Sequence, residues 1–568
     1  EGLFNVLALK NALGPSMIDT VNTRPTFGQP ICVGTAGNAT TIIPGCVPLN
    51  LLGSGTITRD MLDYTTFIAH DQLGYKQKSY YANVGGELFD LPGGPLAFSF
   101  GLEHRSENGF SQPDALIASG NTTGNASAPT KGGYSLDEAY LELAIPVLAD
   151  VPGAKLLDFS LATRYSDYDN VGDTLNSKFG FRWKPFDELM VRGNWSEGFR
   201  APSIAELFTG VADSFPTIAD PCALAGFPNL SPDAQARCIA QGVPAGGYDQ
   251  GNAQIRIDVA GNPALKPEKS ETTTFGFVYS PTWAEGLDLT LDWWKIDIDD
   301  AIQVATGQFI VDECIKGNVQ FYCDMYTRVP GGRLDMLSTP NNVGGFKTEG
   351  YDLTVAYRLP EFSFGKISFT WDTTYLSKSE VDLDGDGTFG EHINKVPGVG
   401  QPVSTWEIDE SANAPGLYVQ NSNAWRWRSN LTSRWEKGDW GATWNVRFYS
   451  GQEEDCQTMV DYGYSFLCSD PDRYIAVPED TNGNGRWDGT TGGDSLVATQ
   501  AARNHVGAVT YHDVSAYWNA PWNAKITVGV NNIFDKDPPR SVDAFANSFD
   551  PQYEVPGQFL YFRYSQKF

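Results

Sequence analysis

From Gln558 to Phe568 the chain alternates strictly. Leu560, Phe562 and Tyr564 fall on one side of an extended strand, Tyr561, Arg563, Ser565 and Lys567 on the other, and Phe568 comes last. The same period of two recurs upstream. Phe275, Phe277 and Tyr279 alternate with Thr274, Gly276 and Val278, and Leu287, Leu289, Leu291 and Trp293 with Asp288, Thr290 and Asp292. Tyr351, Leu353, Val355 and Tyr357 oppose Asp352, Thr354, Ala356 and Arg358, while Trp425, Trp427, Leu431 and Trp435 oppose Arg426, Arg428, Asn430, Thr432 and Arg434. A soluble core has no use for those arginines, whereas a wall with lipid on one side and water on the other requires this pattern. The fold class expected is all-β, a transmembrane antiparallel β-barrel.

The pattern predicts strands at 76–91, 95–109, 134–148, 155–169, 174–187, 188–199, 268–281, 286–300, 346–359, 364–378, 424–436, 440–452, 506–519, 523–533 and 556–568. Short turns such as Pro152-Gly153 and Lys437-Gly438-Asp439 alternate with mostly long segments, among them 200–267, 301–345, 379–423, 453–505 and 534–555. Short periplasmic turns and long extracellular loops give such a wall its orientation. The final strand then descends, and by parity so does 76–91. Residues 1–75 become an extracellular loop region and 76–568 the barrel strands. An odd strand number cannot close a barrel without leaving edges in lipid, so the first strands are expected to lie ahead of residue 1.

Composition narrows the class further. The chain has 568 residues, 13% of them aromatic, and 59 glycines. Its mean hydropathy is −0.30, with no apolar run near the roughly 18 to 20 residues that a membrane helix needs. The formal charge of −29 argues against a phosphate backbone as partner, so no nucleic acid is expected. The eight cysteines form close pairs, Cys32 with Cys46, Cys222 with Cys238, Cys314 with Cys323 and Cys456 with Cys468, all on the long-loop side. Their spacing is not that of zinc sites. Local disulfides in an oxidising compartment fit better, with closure of short loops the least demanding connectivity.

Two loop segments carry calcium-like spacing. Asp382, Asp384, Asp386 and Thr388 present oxygen ligands at alternate positions around Gly387, though the twelfth position is Ile393 rather than a glutamate. Asp480, Asn482, Asn484 and Asp488 repeat the spacing with fewer charges. The alternative for both is a solvated acidic turn. No nucleophile elbow, phosphate loop or paired-histidine metal motif is present, and His505 and His512 would lie on opposite faces of a continuous strand, so no enzyme is expected.

One block stands apart: Asn194-Trp195-Ser196-Glu197-Gly198-Phe199-Arg200-Ala201-Pro202-Ser203-Ile204-Ala205-Glu206-Leu207-Phe208. It closely resembles the most recognisable segment of TonB-dependent outer-membrane receptors. Asn262-Pro263-Ala264-Leu265-Lys266-Pro267-Glu268-Lys269-Ser270, Asn531-Asn532-Ile533-Phe534-Asp535 and the closing strand from Pro556 also resemble that family, over about residues 76–568. Gln566 departs from it, standing where relatives usually carry a bulkier apolar residue. The resemblance implies a barrel of about 22 strands around a plug, of which this chain would hold the last 15 or so. The plug is expected to be missing. It also implies energised import of a solute, with a siderophore, oligosaccharide, peptide or cobalamin undistinguished. The implied partners are outer-membrane lipid, the TonB-ExbB-ExbD complex through the plug, and the barrel assembly machinery acting on a terminal strand with Phe562, Tyr564 and Phe568. The expected location is the bacterial outer membrane, crossed many times, with the cysteine pairs outside.

The residues also have readings of their own. Arg200 and Glu206 stand at a strand-to-loop junction, where an ion pair would anchor the loop. Arg426, Arg428 and Arg434 would line the lumen, attracting an anionic solute or holding a plug, with Asp288 and Asp292 as opposite charges. The competing reading of the whole is a passive or structural surface barrel whose tied loops bind a partner.

Overall fold

A computed structural model of the chain describes residues 3–568 apart from 37, 317, 319, 383–416, 419–424, 457–458, 461–462, 480–494, 501, 543–552 and 555. Its main element is a sheet of 15 strands, each hydrogen-bonded to its neighbours in chain order. The strands are β1 (Gln72–Leu91), β2 (Gly94–Gln112), β3 (Thr130–Val151), β4 (Ala154–Tyr168), β5 (Gly172–Phe186), β6 (Leu189–Arg200), β7 (Glu268–Tyr279), β8 (Leu287–Asp299), β9 (Gly345–Arg358), β10 (Lys366–Asp382), β11 (Trp427–Lys437), β12 (Trp440–Tyr449), β13 (Val509–Ala520), β14 (Ala524–Asn531) and β15 (Phe559–Gln566). All neighbouring pairs are antiparallel.

Register converts the period of two into two unlike faces. One row runs Leu148, Leu157, Trp183, Val191, Phe277, Leu291, Leu353 from β3 to β9. The adjacent row, on the opposite face, runs Asp158, Arg182, Arg192, Gly276, Asp292, Asp352, Thr374, Arg428 from β4 to β11. Charges along it pair. Arg182 meets Asp158 at 2.9 Å, and Arg192 forks onto Asp292 at 3.0 and 2.5 Å. The second bridge reaches across β7, where Gly276 stands between its partners, and a Cβ there would overlap the Asp292 carboxylate.

Two expectations are corrected. Arg426 is not in the row with Arg428 and Arg434, because β11 starts at Trp427 and Arg426 occupies a bend. The cause lies in β10, where Ser377 is an extra residue between the pairs Glu349–Lys378 and Gly350–Leu376. That bulge turns the strand, and its ladder with β11 ends at Tyr375–Trp427. Phe568 lies beyond the strand, which ends at Gln566, so only Phe562 and Tyr564 take the apolar face with Val528 and Ile526. His505 lies in a short strand of its own, Arg503–Val506, and His512 in β13. Gln566 has its own use: its amide donates to the Trp522 carbonyl at 2.8 Å and fastens the β13–β14 turn.

The principal buried core lies in the long connections. Residues from 201–267 and 300–344 form a small body with a four-stranded sheet, ordered Tyr326–Arg328, Leu334–Ser338, Ile257–Val259, Ala212–Ser214, whose middle pair is parallel. Helices Pro232–Ala240 and Gly307–Ile315 pack on it through Ile218, Cys238, Ile310, Cys314 and Ile315. No helix among the described residues is long and apolar enough to cross a membrane.

Replacing Gly276 by valine is expected to destabilise the wall by about 1–3 kcal/mol through overpacking, read as a lower melting temperature of the folded sheet. In an Asp292→Ala background the same substitution should cost less but still be destabilising, since the carboxylate is gone while the Leu291 carbonyl remains in the way.

Candidate functional site at the loop-bearing end

The conspicuous sequence block forms the end of β6 and the turn of helix that follows it. Arg200, the last residue of β6, donates Nε and Nη2 to the two carboxylate oxygens of Glu268 at 2.8 Å each, and Nη1 to Glu206 Oε2 at 2.9 Å. Helix Ile204–Phe208 is held at its start by a reciprocal cap. Ser203 Oγ accepts the Glu206 N–H at 3.2 Å, and Glu206 Oε2 accepts the Ser203 N–H at 2.7 Å. Pro202 and Leu207 are buried, and the Phe208 ring lies where a side chain on Gly132 of β3 would be. The helix is thereby folded back over the neighbouring wall.

Glu268 opens β7 and belongs to the second family-like block of the sequence, so Arg200 joins the two blocks directly. The backbone follows the same path: Asn262 N–H donates to the Glu206 carbonyl at 2.7 Å, and Asn262 Nδ2 to the Pro340 carbonyl at 3.0 Å. Lys266 N–H meets Asn342 Oδ1 at 2.8 Å, and Glu268 Oε1 accepts the Ile302 N–H at 2.7 Å. Two connections, 201–267 and 300–344, therefore meet at the Arg200–Glu268 pair. The Arg200–Glu206 pair was legible from its spacing; Glu268 was not, because only the β6–β7 register brings it opposite Arg200.

The remaining block residues divide by face. Asn194 shares a shallow basin of about 420 Å³ with Arg192, Lys178, Ser160 and Asp158 on the charged face. Glu197 accepts the Ser177 N–H at 3.0 Å, Gly198 leaves room for Ser270 Oγ, and Phe199 meets the Tyr168 ring edge-on at 5.8 Å. Ala201 continues the chain toward the helix. Arg428 and Arg434 are exposed on the charged face, Asp292 is taken by Arg192, and Asp288 by Arg358 at 3.2 Å and Ser280 Oγ at 2.6 Å. A further network was not foreseen: Arg164 binds Glu138 at 2.5 Å and Glu103 at 3.3 Å beside buried Ser166.

Above the block, the small body is stapled by Cys222–Cys238 and Cys314–Cys323, while Cys32–Cys46 and Cys456–Cys468 tie other connections. All the cysteine pairs are as expected. Its centre is ionic. Arg328 and Asp220, 1% and 0% exposed, meet at 2.6 Å. Tyr248 donates its hydroxyl to Asp220 at 2.7 Å, and Arg328 Nε donates to Gln241 Oε1 at 2.9 Å. Burial works against the Arg328 charge, yet the fork onto Asp220 outweighs it and holds the guanidinium above its ordinary range. Among the calcium-like positions, Asp382 ends β10; Asp384, Asp386, Thr388, Asp480, Asn482, Asn484 and Asp488 lie outside the described residues.

An antiparallel wall with one apolar and one charged face, short turns at one end and disulfide-tied connections at the other defines a transmembrane β-barrel. The family model described as TonB dependent receptor-like, beta-barrel matches residues 36–533, and the chain belongs to that family. It is a family of transporters rather than enzymes. A variant of the ferric enterobactin receptor from Pseudomonas aeruginosa, in complex with enterobactin, is similar with a TM-score of 0.51 at 16% identity, over 88% of this chain and 55% of that one. Another variant of that receptor, again with enterobactin, gives 0.50 at 14% identity, over 90% and 56%. The siderophore receptor PirA from Acinetobacter baumannii gives 0.48 at 14% identity, over 87% and 54%. The chain thus spans about half the length of the solved receptors it matches, and at these identities the likeness is one of fold. A comparison with curated proteins finds no match.

Arg200→Ala is expected to loosen the junction by about 1–2 kcal/mol, given the screening of a half-exposed cluster. Faster amide exchange across 203–209 and 262–268 would report it, and Arg200→Lys should restore little because an ammonium cannot fork. Acid acts on the same cluster. Burial pushes the Glu206 carboxyl up, but the Arg200 and Ser203 hydrogen bonds outweigh it and hold it below the ordinary carboxylate range. Its contribution is complete above the unfolded value near 4 and is lost as pH falls through the lower folded value. Protection factors in 203–209, with the slower intrinsic exchange in acid divided out, should therefore fall on acidification in the wild type and change far less in Glu206→Gln. In the small body, Arg328→Met strands Asp220 and should cost about 3–5 kcal/mol, seen as protease cleavage of the connections while the wall stays resistant.

Proposed function

We propose that this chain is the greater part of the barrel of an outer-membrane receptor that binds a solute with high affinity and imports it with energy delivered through TonB. Membership of the receptor family over residues 36–533 carries the reading. Three further features support it: a wall with lipid-facing and water-facing rows, a junction that ties two connections together at Arg200 and Glu268, and a disulfide-stapled body at the same end. On this reading the long connections face the outside of the cell and form the capture surface. The exposed Arg428 and Arg434 line the lumen, where they hold a plug or an anionic solute. The TonB-ExbB-ExbD complex acts through a plug, and the assembly machinery reads the strand carrying Phe562 and Tyr564. Calcium in the 382–388 and 480–488 connections belongs to the same proposal, as a stiffener of the capture loops.

Uptake decides between import and the passive or scaffold alternative. The full reading frame is expressed in hosts with and without TonB, and accumulation is followed for labelled ferric siderophores, cobalamin, an oligosaccharide and a peptide. The proposal predicts accumulation of one class only where TonB is present. Equal entry in both hosts, or binding of a surface partner with no entry, would replace it by the passive alternative. Chelation of calcium should lower solute affinity without affecting the folded wall.

A further inference from the structure

The ladder between β5 and β6 stops short of the ends of its strands. Pairing runs from Phe186–Leu189 up to Lys178–Ser196 and no further, although β5 continues to Gly172 on β4 and β6 continues to Arg200 on β7. Above Ser196 the two strands part around a cavity of about 630 Å³. Ser177 N–H, which would bond to β6 if the ladder continued, donates instead to the Glu197 side chain at 3.0 Å. Backbone groups two residues apart point to the same side of a strand. The N–H and C=O groups of Asp173 and Leu175 on β5, and of Glu197 and Phe199 on β6, are therefore turned into the opening.

An open ladder is intolerable in hydrocarbon, and its position agrees with that. Trp195 stands immediately below, and its indole N–H donates to Glu271 at 2.8 Å, the arrangement of an aromatic girdle whose polar edge meets the water layer. The opening thus lies on the wet side of the girdle. Its lining is predominantly acidic: Asp173, Glu197, Glu271 and Asp299 outnumber Lys266 and Lys269.

We propose that this opening is a docking slot for an extended peptide segment of another protein, bearing basic side chains on alternate residues. The segment would complete the sheet, antiparallel to one edge and parallel to the other, with backbone bonds supplying affinity and the carboxylates selecting the charge. The slot does not depend on import by the barrel.

The test uses the full receptor purified in detergent and a fluorescent nonapeptide of alternating lysine and valine, read by anisotropy. Saturable binding in the range of about 10 μM is expected. The same peptide N-methylated at alternate amides keeps its charge but loses its donors, and should bind at least about tenfold more weakly. Asp173→Asn with Glu197→Gln preserves the acceptor for Ser177 while removing charge and should also weaken binding. Glu197→Lys, which reverses the charge, should abolish it. Equal binding of the methylated peptide would show attraction by the acidic protein at large and would overturn the proposal. Absence of saturable binding, or indifference to both variants, would overturn it too.

Discussion

Within a bilayer, a backbone amide without a partner has no water to fall back on, and each one costs several kcal/mol. This constraint organises the whole molecule. It forces residues 72–566 to return again and again to one continuous ladder, fixes the register of each strand against the next, and through register decides which side chains become neighbours. The apolar row from Leu148 to Leu353 and the charged row from Asp158 to Arg428 are two readings of one hydrogen-bond pattern. The ladder departs from regularity at both ends: the Ser377 bulge and the parting of β5 from β6 lie toward the loop-bearing ends, and register shifts at Glu87/Asp90, Pro146/Leu148 and Trp183/Phe186 lie beside the short turns.

At that end the architecture changes character. Released from the ladder, the chain builds a compact body with an ordinary hydrophobic core, two disulfides and a parallel strand pair. The body is joined to the wall through a small set of polar ties, of which Arg200 is the most connected. A guanidinium suits this position, since it can fork onto Glu268 while a third nitrogen reaches Glu206. The small body is thus joined to the wall by directional bonds at Arg200 together with the packing of Leu207 and Phe208.

How much of this was legible in the sequence follows from the same distinction. The strands were legible because a period of two is a local property, and Leu287 to Trp293 announce β8 without reference to anything else. The Arg200–Glu206 tie was legible because its partners are close in the chain. Arg192 with Asp292 was not, since the partners belong to strands that are not even adjacent and meet only over Gly276. The small body is not legible in the sequence because its core draws Ile218 and Tyr248 from one connection and Ile310 and Met336 from another, with no periodicity in either. Arg426 was assigned to a strand because alternation continues in the sequence past the point where the bulge in β10 has already ended the ladder.

The two-faced wall is the claim on which the remainder rests, and β8 tests it most directly. Nitroxide labels placed singly at Leu289, Thr290, Leu291, Asp292 and Trp293, in receptor reconstituted into bilayers, report collision with oxygen dissolved in lipid and with a polar nickel complex in water. The account predicts a strict alternation, with oxygen favoured at Leu289, Leu291 and Trp293 and nickel at Thr290 and Asp292. Uniform access to nickel at all five positions, as a water-soluble sheet would give, would contradict it.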